Sequence, residues 1–178
     1  MTKQQLKTKR GFTIIEVVLV LAIAGLIFMM VFLALPALQR SQRDTQRRDD
    51  MARFISQVNQ YQANNRGKVP TSTGTHCAND SDTADWCTFM KNYMRNASDD
   101  FTDPGGDDYQ VNDHGSLAAG ETSANITSVT AVDHLIHVWH GVNCSEEEGK
   151  VVKADNASER KIAILYKLEG AGYYCNES

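Results

Sequence analysis

The sequence predicts an α+β protein: one long N-terminal helix, its first half transmembrane and its second amphipathic, packed on a C-terminal antiparallel sheet. Three observations carry this. Residues 17–38 are 22 positions without a charge. Beyond them, apolar residues continue at helical spacing to about residue 65. The last third holds short runs of β-branched and aromatic residues, and strands following a helix make an α+β order.

Residues 17–38 are rich in Val, Ile, Leu, Ala, Phe and Met. As a helix rising about 1.5 Å per residue they are long enough to cross a bilayer core. Lys3, Lys7, Lys9 and Arg10 precede them with no acid among them. That basic flank predicts a single-pass precursor in the cytoplasmic membrane, its N-terminus inside and its C-terminal part sent across. The stretch is too long for a secretory signal peptide and no small-x-small cleavage site follows it, so it reads as an anchor. Gly25 and Pro36 weaken the helix. Gly costs about 1 kcal/mol relative to Ala in a helix interior. Pro36 cannot donate to the carbonyl of Phe32, which predicts a kink or a loosened turn.

The helical pattern does not stop at the membrane edge. Met51, Phe54, Ile55, Val58 and Tyr61 recur at steps of three or four and share one face. Arg40, Arg43, Asp44, Arg47, Arg48, Asp49 and Arg53 occupy the other, with Asp44–Arg48 and Asp49–Arg53 spaced for ion pairing. Gly67 and Pro70 end the element. In the polar stretch that follows, Trp86, Phe89, Met90 and Tyr93 are spaced as one face of a short packing helix, with Ser81 or Asp82 to cap it. "DPGGDDY" predicts a turn into a strand at residues 109–111. "HLIHVWHGV" at 134–142 and "KIAILYKL" at 161–168 predict strands, the latter with Ile162, Ile164, Tyr166 and Leu168 on one side. "EGAG" at 169–172 is a turn and "YYC" a closing strand.

From residue 70 onward there are 18 Asp and Glu against 7 Lys and Arg, which argues against a surface that coats nucleic acid. No sequence-specific nucleic-acid binding is expected. Cys77, Cys87, Cys144 and Cys175 all fall in this part, and an even number in an oxidising compartment reads as two disulfides. Of the three possible pairings, Cys77–Cys87 with Cys144–Cys175 needs the least chain rearrangement. Zinc is the competing reading of the cysteines, but no C-x-x-C pair occurs.

Two clusters invite metal. His134, His137 and His140 would converge on a helix, but on a strand His134 and His140 point one way and His137 the other. Asp99, Asp100, Asp103, Asp107 and Asp108 offer oxygen ligands in a Gly-containing loop, yet lack the EF-hand order and its terminal Glu. A solvated acidic loop is the plainer reading, and no metal is assigned. No nucleophile–base pattern, phosphate loop or paired-carboxylate motif occurs, so no catalytic residue and no cofactor is assigned, and the chain is not read as an enzyme.

Glu16 is the remaining anomaly, the only charge between Arg10 and Arg40. A charged group in hydrocarbon costs about 2.5–3.5 kcal/mol on insertion scales. Thr13-Ile-Ile-Glu16 fits a capping box, in which the carboxylate returns to an exposed backbone N–H, and a negative charge in the first turn suits the helix dipole. A partner on another molecule would satisfy it equally well.

"KRGFTIIEVVLVLAIAGLI", with its short basic leader, its Gly11-Phe12 junction, a carboxylate four residues further on and the apolar run, resembles the N-terminus of type IV pilins and pseudopilins. "FTDPGGDDYQV" looks like the turn-and-strand segment of pseudopilins and some pilins, and "YYC" like the closing cysteine of pilin heads. The resemblance implies a type IV pilin-like fold with residues 1–11 as leader, 12–38 as transmembrane and assembly helix, 39–66 as its amphipathic continuation and 67–178 as exported head. It implies that a prepilin peptidase cuts between Gly11 and Phe12 and methylates the new amine of Phe12. It further implies that this amine partners Glu16 of a neighbouring subunit. The implied product is a homo-oligomeric helical filament on the cell surface, built from the membrane pool by an assembly platform and a motor ATPase. Adhesion, twitching motility or DNA uptake would be its task. The alternatives are a pseudopilin of a type II secretion or competence system, or a minor tip pilin acting as an adhesin.

Overall fold

The computed structural model describes residues 11–77, 84–95, 101–126, 134–155, 158, 160–170 and 172–178. The chain divides into two compact units, Met1–Gln39 and Arg40–Ser178. One helix, α1 (Ile14–Asn64), supplies the first unit and enters the second, and it continues through Pro36. The capping residues proposed for the short helix, Ser81 and Asp82, and the acids Asp99 and Asp100 lie outside the described residues.

In the second unit α1 ends where the sequence stops it. The N–H of Gly67 reaches back to the carbonyl of Gln62 at 2.7 Å, with Gly67 at φ +78°. That left-handed geometry favours glycine, and a Cβ there would lie 3.2 Å from the Arg160 guanidinium. Among the described residues the rest of the unit contains β1 (Gly74–His76), α2 (Asp85–Phe89) running into a π-helical turn (Met90–Met94), and seven further strands. These are β2 (Gln110–Ser116), β3 (Ser123–Asn125), β4 (Leu135–His140), β5 (Val142–Cys144), β6 (Lys150–Lys153), β7 (Ile162–Lys167) and β8 (Tyr173–Glu177). They form a five-stranded sheet, β1-β2-β4-β7-β8, and a three-stranded sheet, β3-β6-β5.

The architecture is α+β, with one departure from an all-antiparallel sheet. β2 and β4 run parallel, Gln110 beside Leu135 and Val111 beside Ile136. The connection between them includes β3, which pairs in the other sheet, so the chain re-enters β4 from the end at which β2 began. A crossover of this length is what a parallel pair requires. The strand predicted at residues 109–111 is correspondingly longer and starts one residue later.

Both faces of the large sheet are buried, by different partners. Met51, Phe54, Ile55 and Val58 of α1 join Trp86, Phe89, Met90 and Met94 over Val111, Ile136, Val138, Ile162, Ile164 and Tyr166. The alternate positions of the strands, Trp139, Ala163 and Leu165, pack with Ile126, Val142 and Val151 in a second core. Phe54 lies among Trp86, Phe89 and Phe101, with ring centroids 5.5–6.5 Å apart. Cys77–Cys87 ties the end of β1 to α2, and Cys144–Cys175 ties the small sheet to the large one. Each bridge contributes about 2–4 kcal/mol.

The polar face assigned to α1 is not all solvated. Arg47 is 4% exposed and donates from Nε and Nη2 to the two oxygens of Asp103, at 2.7 and 2.9 Å. Tyr166 Oη and the N–H of Gly105 donate to the same carboxylate, at 2.8 and 2.7 Å. Burial alone would raise the Asp103 pKa; the donors from Arg47, Gly105 and Tyr166 outweigh it and hold the group below the usual carboxylate range. Asp44 turns away from Arg48 to accept from the N–H groups of Glu169 and Gly170 at 2.8 and 2.7 Å, and Glu169 accepts from Arg43 Nε at 2.7 Å. Arg48 lies over the Tyr174 ring instead. One helix face thus clamps two loops, the Asp103 turn and the β7–β8 turn.

A second buried polar group is a histidine pair. His114 Nε2 and His137 Nδ1 are 2.9 Å apart, and the His114 ring stacks on Trp139 at 4.1 Å. Burial pushes His114 down, and burial together with His114 pushes His137 down to about 4.

Two outcomes follow for stability. Arg47→Met strands a buried carboxylate and should cost about 3–5 kcal/mol, whereas Arg47→Met with Asp103→Leu should recover most of it. Chemical denaturation in detergent reads both, and a single variant as stable as the wild type would contradict the clamp. For the histidines, the unfolded chain takes up protons below about pH 6.5 while folded His137 stays neutral to about 4. Their contribution is therefore complete above pH 6.5 and lost as pH falls, by about 2 kcal/mol for His137 between pH 7 and 5. His137→Phe should flatten that slope in thermal melts, and an unchanged slope would count against it.

Candidate assembly site at the start of the helix

α1 begins at Ile14 because Thr13 caps it. The Glu16 N–H donates to Thr13 Oγ1 at 3.4 Å, and the N–H and hydroxyl of Thr13 donate to Glu16 Oε2 at 2.9 and 2.8 Å. This is the reciprocal capping box of the T-x-x-E spacing. All the bonds to the carboxylate fall on Oε2. Among the described residues no hydrogen bond reaches Oε1. The cap therefore uses half of the carboxylate.

Around Glu16 none of the described residues of the first unit is buried. Nineteen large apolar side chains from Phe12 to Leu38 are exposed, Phe12 at 90%. α1 is long and apolar enough there to cross a membrane. Such a surface is stable only in lipid or against other apolar helices. Gly11, Phe12 and Thr13 precede the helix and are exposed. A Cβ at Gly11 or at Gly25 would meet nothing within 4 Å, so the chain's own packing does not require glycine at either position.

Residues 6–32 match the family model of the prokaryotic N-terminal methylation motif. This is the signature of type IV prepilins. It spans the Gly11-Phe12 junction, Glu16 and Gly25, and it supports a pilin-like or pseudopilin-like prepilin, a structural kind of protein. Neither the curated proteins nor the solved structures compared with the chain give a match. The apolar helix and the prepilin motif together make the precursor membrane-anchored. The basic stretch from Lys3 to Arg10 lies outside the described residues.

The other candidate sites of the sequence are dispersed. His134 sits 3.8 Å from Asp107, His137 pairs with His114, and His140 pairs with Asp113 at 3.0 Å. Among the described residues no three His, Cys, Asp or Glu side chains converge as metal ligands. The acidic loop is not uniformly solvated either: Asp103 faces inward to Arg47, while Asp107 and Asp108 are exposed. Sequence reasoning missed Arg47 and Asp113 as buried charges. The signal for Arg47 was available, since it lies one turn before Met51 and joins the apolar stripe of the helix.

Proposed function

We propose that the chain is a prepilin, the precursor of a structural subunit of a type IV pilus. A prepilin peptidase cuts it between Gly11 and Phe12, the amine of Phe12 is methylated, and the mature chain polymerises into a surface filament. The observation that carries this reading is the half-satisfied Glu16 carboxylate, four residues beyond Phe12 on a helix whose apolar surface has no cover in its own unit.

The chemistry runs in order. Before cleavage the Phe12 nitrogen is an amide and carries no charge. Cleavage makes it an ammonium, and methylation retains the charge. Glu16 Oε1 accepts from that ammonium on a neighbouring copy while Oε2 keeps the cap. In a water-poor helix bundle two such charges satisfy each other, and removing one strands the other at about 3–5 kcal/mol. A solitary subunit carries the unpaired carboxylate, so the pair opposes isolated subunits and fixes the register of assembled ones. The remaining apolar surface packs against copies of itself, and Gly25, which lacks a side chain, lets two backbones approach. Pro36 leaves one carbonyl of α1 without its amide donor and marks where the helix gives way under assembly. Export places the two disulfides in an oxidising compartment. The assembly platform and motor ATPase supply the work, and the filament serves adhesion, motility or DNA uptake.

Two variants test this. Glu16→Gln keeps a side chain that caps but removes the charge. It should leave cleavage intact and cut sheared surface filament by about tenfold or more, as Glu16→Ala does. Wild-type filament yield from Glu16→Gln would leave only the capping role. Gly11→Ala should fold and insert normally but stay uncleaved, at precursor mobility on a gel beside matured wild type. Normal maturation of that variant would contradict the assigned cleavage site.

A further inference from the structure

At the C-terminal ends of the parallel strands β2 and β4 the second unit has an open cleft of about 410 Å³, with Thr71, Asp113, Ser116 and His140 in its lining. That volume lies within the range of small-molecule clefts, roughly 300–1,000 Å³. Asp113 and His140 form its floor, with side chains only 1% and 5% exposed. The Asp113 carboxylate is fully used. Oδ2 accepts from Trp86 Nε1 at 2.8 Å and the N–H of Ser72 at 3.1 Å; Oδ1 accepts from the N–H of Gly115 at 2.8 Å and His140 Nε2 at 3.0 Å. Gly115, at φ +68°, gives the left-handed turn that aims its N–H at Asp113.

His140 differs from its partner in having one atom unused. Facing a carboxylate oxygen, Nε2 carries a hydrogen in either protonation state, which leaves Nδ1 as the uncommitted nitrogen of a ring that lines the cleft, and that atom is not sealed from solvent. Among the described residues nothing hydrogen-bonds to it. The hydroxyls of Thr71 and Ser116 on the exposed rim likewise take no hydrogen bond there. A buried imidazole held on a four-donor carboxylate, lining a cavity and keeping one nitrogen uncommitted, is a positioned recognition group, since packing alone does not call for it.

The chemistry of the lining selects the ligand class. Among the described residues no Lys or Arg lines the cleft to hold an anion. One imidazole nitrogen with no uncommitted carboxylate is too few donors for a metal ion. Nδ1 accepts when the ring is neutral and donates when it is charged. A hydroxyl is the ligand group that matches both states, and the Thr71 and Ser116 hydroxyls match it in the same way. We propose that this cleft binds a saccharide, with one sugar hydroxyl on His140 Nδ1 and others on Thr71 and Ser116. The site stands independently of the assembly helix.

The test uses the full chain in detergent micelles, labelled with nitrogen-15, with long-range proton–nitrogen NMR reading the His140 ring. The probes are the methyl glycosides of glucose, galactose and N-acetylglucosamine, with inorganic phosphate and zinc as comparators. At least one glycoside should shift Nδ1 saturably. Thr71→Val and Ser116→Ala, both on the exposed rim, should each raise its Kd by about tenfold while leaving the other resonances in place. The proposal is overturned if no glycoside saturates, if the rim variants bind as the wild type does, or if only phosphate or only zinc moves the ring.

Discussion

Nineteen large apolar side chains between Phe12 and Leu38 have nothing in their own unit to pack on, and the proposed assembly depends on that constraint. Water cannot solvate such a surface at acceptable cost, so it is held by lipid or by other copies of the same helix. Into that surface the sequence sets one carboxylate. Thr13 covers one of its oxygens and leaves the other open. A capping residue alone would be satisfied by a neutral Gln; a full charge at the apolar end of α1 calls for a cation, and cleavage before Phe12 would create one.

The second unit solves the opposite problem. Its sheet is apolar on both faces, and the chain covers one with the amphipathic half of α1 and the other with a small three-stranded sheet. The order is then fixed by a few buried polar groups. Arg47 holds the Asp103 turn and, through Asp44 and Glu169, the helix face also holds the β7–β8 turn. Removing either partner of Arg47–Asp103 is costly because the other stays buried, which makes the pair a device for uniqueness of structure more than for net stability. The disulfide from Cys144 to Cys175 joins the two sheets covalently.

Much of this was legible in the residues, because periodicity survives into three dimensions. Met51, Phe54, Ile55 and Val58 lie on one helix face and are buried; Ile162, Ile164 and Tyr166 alternate into the main core. The T-x-x-E spacing announced its capping box. What periodicity does not encode is which non-local partner arrives. β2 and β4 are parallel because of where the intervening chain is sent, and no local pattern in either strand records that. Arg47 looked solvated because its neighbours Arg43 and Arg48 are charged, and its burial depends on Asp103, 56 residues away. Asp113 gave no signal at all: its role comes from Trp86, Gly115 and His140, three elements brought together by the fold. The methylation motif is equally local, ending at residue 32, and so it speaks for the helix and leaves the head to be read from its own geometry.

The central claim is that Glu16 and the freed amine of Phe12 form an ion pair between copies. A filament reconstruction at side-chain resolution measures it directly. The account predicts a methylated Phe12 nitrogen within about 4 Å of a Glu16 oxygen on a neighbouring subunit, with the Thr13 bond to the same carboxylate retained. A filament in which Glu16 contacts only its own Thr13, with the Phe12 amine elsewhere, would contradict it.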